Sequence, residues 1–313
     1  MEKGKGEPVG AHTAVLRLVP IASALGGRTA LDELPEMASD DPRIYWDLGY
    51  RDSRVTDEGN LSLVARALPG ELPVTAPTLV VLAIGSQHFS RALPRMLRDA
   101  GLRPEKIFDL ASPTCGTFLA QVDLAAGMIR GGAASSALAI IAGSADANVP
   151  RVRRGEHVQS DGACVFALTG DPVGVPHFVV ESLALDYVHP ADASRFDEEP
   201  NAALRASLKV TLMRSLIREV LKRTDTPAAH VDHLVMQNLG LDRMKAVRAL
   251  SGVRPEALWL DSLAHNGHVI AADSMVNLQD LYGGGRLATG AKILMVGTSP
   301  ATNGAMLLRF AGG

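Results

Sequence analysis

The chain has 313 residues, 47% of them hydrophobic, and its 31 basic and 34 acidic residues leave a net charge of -3. That near-balance gives no general attraction for nucleic acid or anionic lipid, while the length and apolar content suffice for one large domain or two half-sized ones. The polar start MEKGKGEPVG is unlike a signal peptide, no later run reaches the about 18 apolar residues that span a membrane, and the two cysteines lack metal or disulfide spacing, so a reduced, cytoplasmic protein with no bound metal is expected.

Residues 1–9 read as a disordered head. AHTAVLRLVP (11–20) predicts a first strand, and the mixed, polar stretch from there to about 75 yields no further element. TLVVLAIGS (78–86) is a continuous apolar run suited to a buried parallel strand, RALPRMLRDA (91–100) is helical, and KIFDLAS (106–112) is a second strand. Apolar residues at helical spacing fill 115–132 and close on a double glycine, followed by the strands SALAIIAGSAD (136–146) and DGACVFALTGD (161–171).

The Pro-, Asp- and Glu-rich stretch 187–203 predicts a surface flap. A long amphipathic helix over 201–224 comes next, then a short strand, VDHLVMQN (231–238), entering a loop. Helices over 241–252 and 274–285 precede the closing strands AKILMVGTS (291–299) and GAMLLRF (304–310). Aromatics are only 4%, so the core is built of small aliphatic side chains that suit a layered α/β protein. Two βα-rich halves of similar length, 10–172 and 173–313, predict a duplicated architecture.

Cys115 follows a strand and opens a helix, where backbone N–H groups and the helix dipole favour the thiolate that attacks a thioester carbonyl. A free cysteine is also often a small buried hydrophobe, and that reading holds for Cys164 inside the apolar strand DGACVFAL.

Four segments in order now resemble a known family. ASPTCGTFLAQVDLAAGMIRGG with ALAIIAGSAD is similar to the nucleophile helix and strand of β-ketoacyl-acyl-carrier-protein synthase III. DGACVFALTG resembles its GDGA strand, GHVIAADSMVNL its GNTxxAS loop and helix, and GTSPATNGAMLLRF its glycine-rich C-terminal segment. The resemblance implies an α/β thiolase fold, with two duplicated βα halves in five layers, α/β/α/β/α, assembled as a homodimer. It implies Cys115 as the nucleophile that holds the acyl group. Coenzyme A or the phosphopantetheine of an acyl carrier protein is then the substrate carrier, and no cofactor is bound.

The chain departs from the carbon–carbon-forming members, which pair Cys with His and Asn. Gln237 stands at the histidine position with Asn238 beside it, His268 at the asparagine position and Asp273 at the serine position. A side branch of the family, transferring acyl groups to oxygen in natural-product pathways, is similar in its histidine and aspartate at this spacing. On that resemblance Cys115, His268 and Asp273 are expected as nucleophile, base and orienter, Gln237 and Asn238 as substrate contacts, and the N–H groups of Cys115 and Ser299 as oxyanion hole. The bland alternative makes His268 and His265 loop histidines and Asp273 a helix cap.

His88 and Leu93 are assigned to a dimer interface, and Arg151, Arg153 and Arg154 to a solvated face or a carrier phosphate. The expected function is acyl transfer from acyl-coenzyme A or acyl carrier protein to the hydroxyl or amine of a small-molecule acceptor. The alternatives are a rearranged condensing enzyme and a non-catalytic partner subunit.

Overall fold

The computed structural model describes residues 15–74, 77–84, 89–110, 114–145, 151–153, 155–171, 173–187, 202–299 and 302–312. The first repeat runs β1 (Arg17–Leu25), β2 (Gly27–Ala30), α1 (Pro42–Asp47), β3 (Asp52–Val55), α2 (Gly59–Ala67), β4 (Leu79–Ile84) and α3 (Phe89–Asp99). It continues with β5 (Lys106–Asp109), α4 (Thr117–Arg130), β6 (Ser136–Gly143), β7 (Val152–Arg153), β8 (His157–Val158) and β9 (Gly162–Thr169). The second holds β10 (His177–Tyr187), α5 (Ala202–Arg223), β11 (His233–Met236), α6 (Leu241–Ser251) and α7 (Leu263–Asn266). It closes with α8 (Asp273–Gly283), β12 (Lys292–Gly297) and β13 (Thr302–Ala311).

Among the described residues nine strands form one sheet in the order β11-β12-β13-β10-β1-β9-β6-β4-β5. Its two parts follow one pairing rule. β4 runs parallel to β6, β6 antiparallel to β9 and β9 antiparallel to β1. Likewise β11 runs parallel to β12, β12 antiparallel to β13 and β13 antiparallel to β10. The parts join where β1 meets β10, through Arg17↔Val179 and Leu18↔Phe178.

Side chains alternate across each pleat and so divide the core. Leu79, Val81 and Ala83 of β4, with Ile293 and Met295 of β12, face a central core that contains α4 and α8. Val80, Leu82 and Ile84 face α2 and α3, whereas Leu294 and Val296 face α5 and α6. The result is five layers: α2 with α3, the first part of the sheet, α4 with α8, the second part, and α5 with α6. Phe118, Leu119, Val122 and Ile129 of α4 are buried, each large side chain contributing roughly 1.5–3 kcal/mol. Among the described residues no helix is long and apolar enough to cross a membrane.

The first strand begins at Arg17 and continues to Leu25, later than 11–20, because Ala22 to Leu25 pair with β9 beyond a bulge at Pro20/Ala22. The polar stretch before residue 75 does contain elements, two short strands, two short α-helices and two 3-10 helices, Leu31–Glu33 and Pro35–Ser39. The head, His88 and nearly all of the flap at 187–203 lie outside the described residues. Leu93, expected at an interface, instead packs in the core of the first repeat beneath α2.

Candidate active site

Cys115 is half-buried in the turn just before α4. That turn is closed in both directions: Thr117 N–H donates to the Thr114 carbonyl at 2.9 Å, and Thr114 N–H to Thr117 Oγ1 at 2.7 Å. Gly116 is required sterically, since a Cβ there would lie 2.2 Å from the Thr302 carbonyl oxygen. The Cys115 turn thus rests directly on the start of β13.

His268 arrives from the second repeat. Its main chain is clamped by β8 and the residues after it, His268 N–H donating to the Val158 carbonyl and Ser160 N–H to the His268 carbonyl, both at 2.8 Å. Gly267 allows this approach at φ +59°, where a Cβ would lie 2.5 Å from Ser160 Oγ. Ile270 sits at φ 50°, a left-handed conformation that costs a β-branched residue about 1–3 kcal/mol. Gly143 leaves it room, because a Cβ at 143 would come within 2.9 Å of Ile270 Cβ.

The structure brings three of the expected residues into a line. His268 Nε2 is 3.3 Å from Cys115 Sγ, and His268 Nδ1 is 2.6 Å from Asp273 Oδ2. Burial opposes a charge on His268, but the sulfur and the carboxylate on its two sides outweigh it and raise its pKa to about 10. Asp273 opens α8 and is fully buried, and its Oδ2 also accepts the Asn238 N–H at 2.6 Å.

Asn238, expected to contact substrate, instead supports this carboxylate from behind. Its carbonyl accepts from Tyr50 Oη at 2.7 Å, its Nδ2 donates to the Gly267 carbonyl at 2.7 Å, and its Oδ1 accepts from Asn277 Nδ2 at 2.9 Å. Ser299 likewise departs from its expected oxyanion role. Its N–H points at Asn303 Oδ1, 3.3 Å away, while its Oγ takes a bond from Thr114 Oγ1 and gives one to the Thr302 carbonyl, each 2.9 Å. Ser299 fastens the Cys115 turn to β13. Gln237 is 0% exposed and donates Nε2 to the Thr298 carbonyl at 2.6 Å.

Sequence reasoning missed His157. Its ring meets that of His268 edge to face, with centroids 4.8 Å apart. Burial first, and then the charges of His268, Arg153 and Arg243, pull its pKa down to about 3, so it stays neutral beside the charged ring. The charge-rich setting RVRRGEH reads as a solvated face and gives no signal of this.

Of that basic cluster, Arg151 is partly buried, its side chain 10% exposed, in an ion pair with Asp161 at 2.9 Å, which corrects both the surface and the phosphate readings. Arg153 is exposed, and Arg154 lies outside the described residues. His265 is held 2.7 Å from Asp52 by Nδ1, away from the sulfur. Cys164 is buried on β9 with its Sγ 3.2 Å from Gln279 Oε1. No group of three or more His, Cys, Asp or Glu able to hold a metal occurs among the described residues.

Comparison with known proteins supplies the setting. Residues 221–310 match the family "3-Oxoacyl-[acyl-carrier-protein (ACP)] synthase III C terminal". Among solved structures, ChlB3, described as an acyltransferase, superposes with TM-score 0.78 at 16% identity, over 95% of this chain and 98% of that one. The synthase III FabH of Pseudomonas aeruginosa PAO1 gives 0.76 at 22% identity, over 95% and 98%. Cerulenin-bound OleA of Xanthomonas campestri gives 0.73 at 13%, over 94% and 98%. No curated protein matches the sequence. The chain therefore has the thiolase fold of the synthase III-like proteins, with residues 221–310 matching the synthase III C-terminal family.

Proposed function

We propose that the protein is an acyltransferase that carries its acyl group on Cys115 and delivers it to a hydroxyl or amine, forming an ester or amide. The observation that carries this reading is the 3.3 Å approach of His268 Nε2 to Cys115 Sγ, with Asp273 on the other ring nitrogen. That is a nucleophile, a base and an orienter. Condensation with a carbon nucleophile instead asks for fixed donors to an enolate. The donor is a thioester of coenzyme A or an acyl carrier protein, in keeping with the family that residues 221–310 match.

The Cys115 thiolate attacks the thioester carbon while His268 is the imidazolium. The tetrahedral oxyanion is received by the N–H of Cys115. On collapse the carbon–sulfur bond to the carrier breaks, and the departing thiolate takes the proton from His268 Nε2. Acylation also removes the charge at sulfur, one of the causes that raise the pKa of His268. The now neutral imidazole, oriented by Asp273, accepts the proton of the incoming O–H or N–H as that atom attacks the acyl carbon. Base catalysis of this kind contributes typically about 10²- to 10⁴-fold. Cys115 leaves as thiolate, and the ion pair is restored.

The reading includes a homodimer. The sheet ends at β5, and Ile107 and Phe108 on that edge strand are 42% and 40% exposed, an apolar edge that a second copy would cover.

The test is intact-mass measurement after incubation with acetyl-, butyryl- and octanoyl-coenzyme A. An adduct is expected on the wild type and absent in Cys115→Ala, and in His268→Ala an adduct that does form is not discharged by alcohols or amines. No adduct with any intact donor sinks the reading and favours a non-catalytic partner subunit.

A further inference from the structure

The side chain of Gln237 crosses between the two ends of this site. Asn238, next in the chain, gives its N–H to Asp273 Oδ2. At the other end, Gln237 Nε2 donates to the carbonyl of Thr298 at 2.6 Å. Thr298 flanks the nucleophile: a Cβ on Gly297 would lie 3.2 Å from Gly116 Cα, and Ser299 Oγ is bonded to Thr114 Oγ1.

A carbonyl only accepts, so the atom facing Thr298 must be the amide nitrogen, and the orientation of the Gln237 amide is fixed. Its oxygen, Oε1, is then turned away from Thr298. That atom is buried and has no hydrogen-bond partner among the described residues. An orphaned buried acceptor costs about 1–3 kcal/mol and calls for a donor.

The geometry points to Gln237 Oε1 as the anchor for a second polar hydrogen on the nucleophile that discharges the acyl-enzyme. One hydrogen of that nucleophile goes to His268 Nε2 as its oxygen or nitrogen bonds to the acyl carbon and Cys115 leaves. The other stays in place and donates to Gln237. The substrate class is therefore a nucleophile with two neighbouring polar hydrogens, as in a 1,2-diol or a primary amine. An oxygen at this position also repels the enolate of a condensing reaction. This inference rests on the acyl-transfer reading above.

The experiment follows discharge of the Cys115 acyl-enzyme, formed with one of the same acyl-coenzyme A donors, by matched nucleophiles. Propane-1,2-diol is compared with propan-1-ol, and propylamine with N-methylpropylamine. In the wild type the member of either pair with two polar hydrogens is expected to react about tenfold faster, the factor that about 1.4 kcal/mol of hydrogen bonding provides. In Gln237→Leu and Gln237→Met, each first shown to take the acyl group, the ratio is expected to fall to about one. A preference in only one pair names which of the two acceptor types is used. Equal rates in the wild type, or a preference that survives both substitutions, overturn the inference and leave Oε1 to a buried water. Discharge by none of the four overturns the acyl-transfer reading with it.

Discussion

Replacing Gly116 by alanine tests whether the seat of the Cys115 turn is set by main-chain contact. The new Cβ would lie 2.2 Å from the Thr302 carbonyl oxygen and 3.0 Å from its carbon. Carbon and oxygen in ordinary contact stay about 3.3 Å apart, so turn and strand must separate by about 1 Å. The same carbonyl accepts the Ser299 Oγ bond that tethers Thr114, so the tether is disturbed too. Overpacking of this kind costs about 1–3 kcal/mol, or roughly 2–6 °C in Tm for a chain of this size. A displacement of about 1 Å at a reacting atom slows chemistry by about 10²-fold. Gly127, on the exposed face of the same helix, is the control, because a Cβ there meets nothing within 4 Å. Gly127→Ala is expected to stabilise by about 0.4–1 kcal/mol. Differential scanning calorimetry and the rate of acyl-adduct formation by mass read both variants. If Gly116→Ala matches the wild type in Tm and acylation rate, the steric reasoning is wrong.

Asp273→Asn removes one of the charges that raise the pKa of His268, so the imidazole, which titrates at about 10, is expected to lose its proton at lower pH, as read by nitrogen-15 NMR of the free enzyme. The same variant is expected to discharge acyl-enzyme roughly tenfold or more slowly, measured by single-turnover kinetics. The pKa of His157 is lowered to about 3 in the fold, below the ordinary value of 6.5, so the unfolded chain binds that proton first and stability is lost as pH falls from 6.5 towards 3. Tm is accordingly expected to drop less between pH 7 and 5 in His157→Gln than in the wild type. Ile107→Lys with Phe108→Lys places charge on the open edge of β5 and is expected to yield a monomer by light scattering, with the wild type expected to run as a dimer.

The apolar runs at 78–86, 136–146, 161–171 and 291–299 were legible as strands because both of their faces are covered, so no alternation is needed to see them. β10 escaped that criterion. Glu181, Ser182 and Asp186 interrupt it, seven of its 11 residues are only partly buried, and it meets β1 through just two residue pairs. The elements before residue 75 are short and held by distant partners, such as Asp161, which accepts the Thr56 N–H across 105 positions of sequence. At the site, the resemblance located Cys115, His268 and Asp273, because their spacing follows the loop and helix starts that carry them. Neither the spent hydrogen bonds of Asn238 and Ser299 nor the contact of His157 with His268 leaves a trace in local pattern, since each depends on strands brought together by the whole sheet.

The sulfur precedes the central helix of the first repeat, the imidazole precedes that of the second, and the carboxylate opens it. The contact between Cys115 and His268 thus exists across the seam of the duplication. A chain emerging during synthesis presents Cys115 long before His268 has been made, and the imidazole reaches the sulfur only after α8 has docked beside α4. On the proposed acyl-transfer reading, charging with an acyl group is in this way deferred until the molecule is finished, and a misassembled chain is spared from consuming thioester.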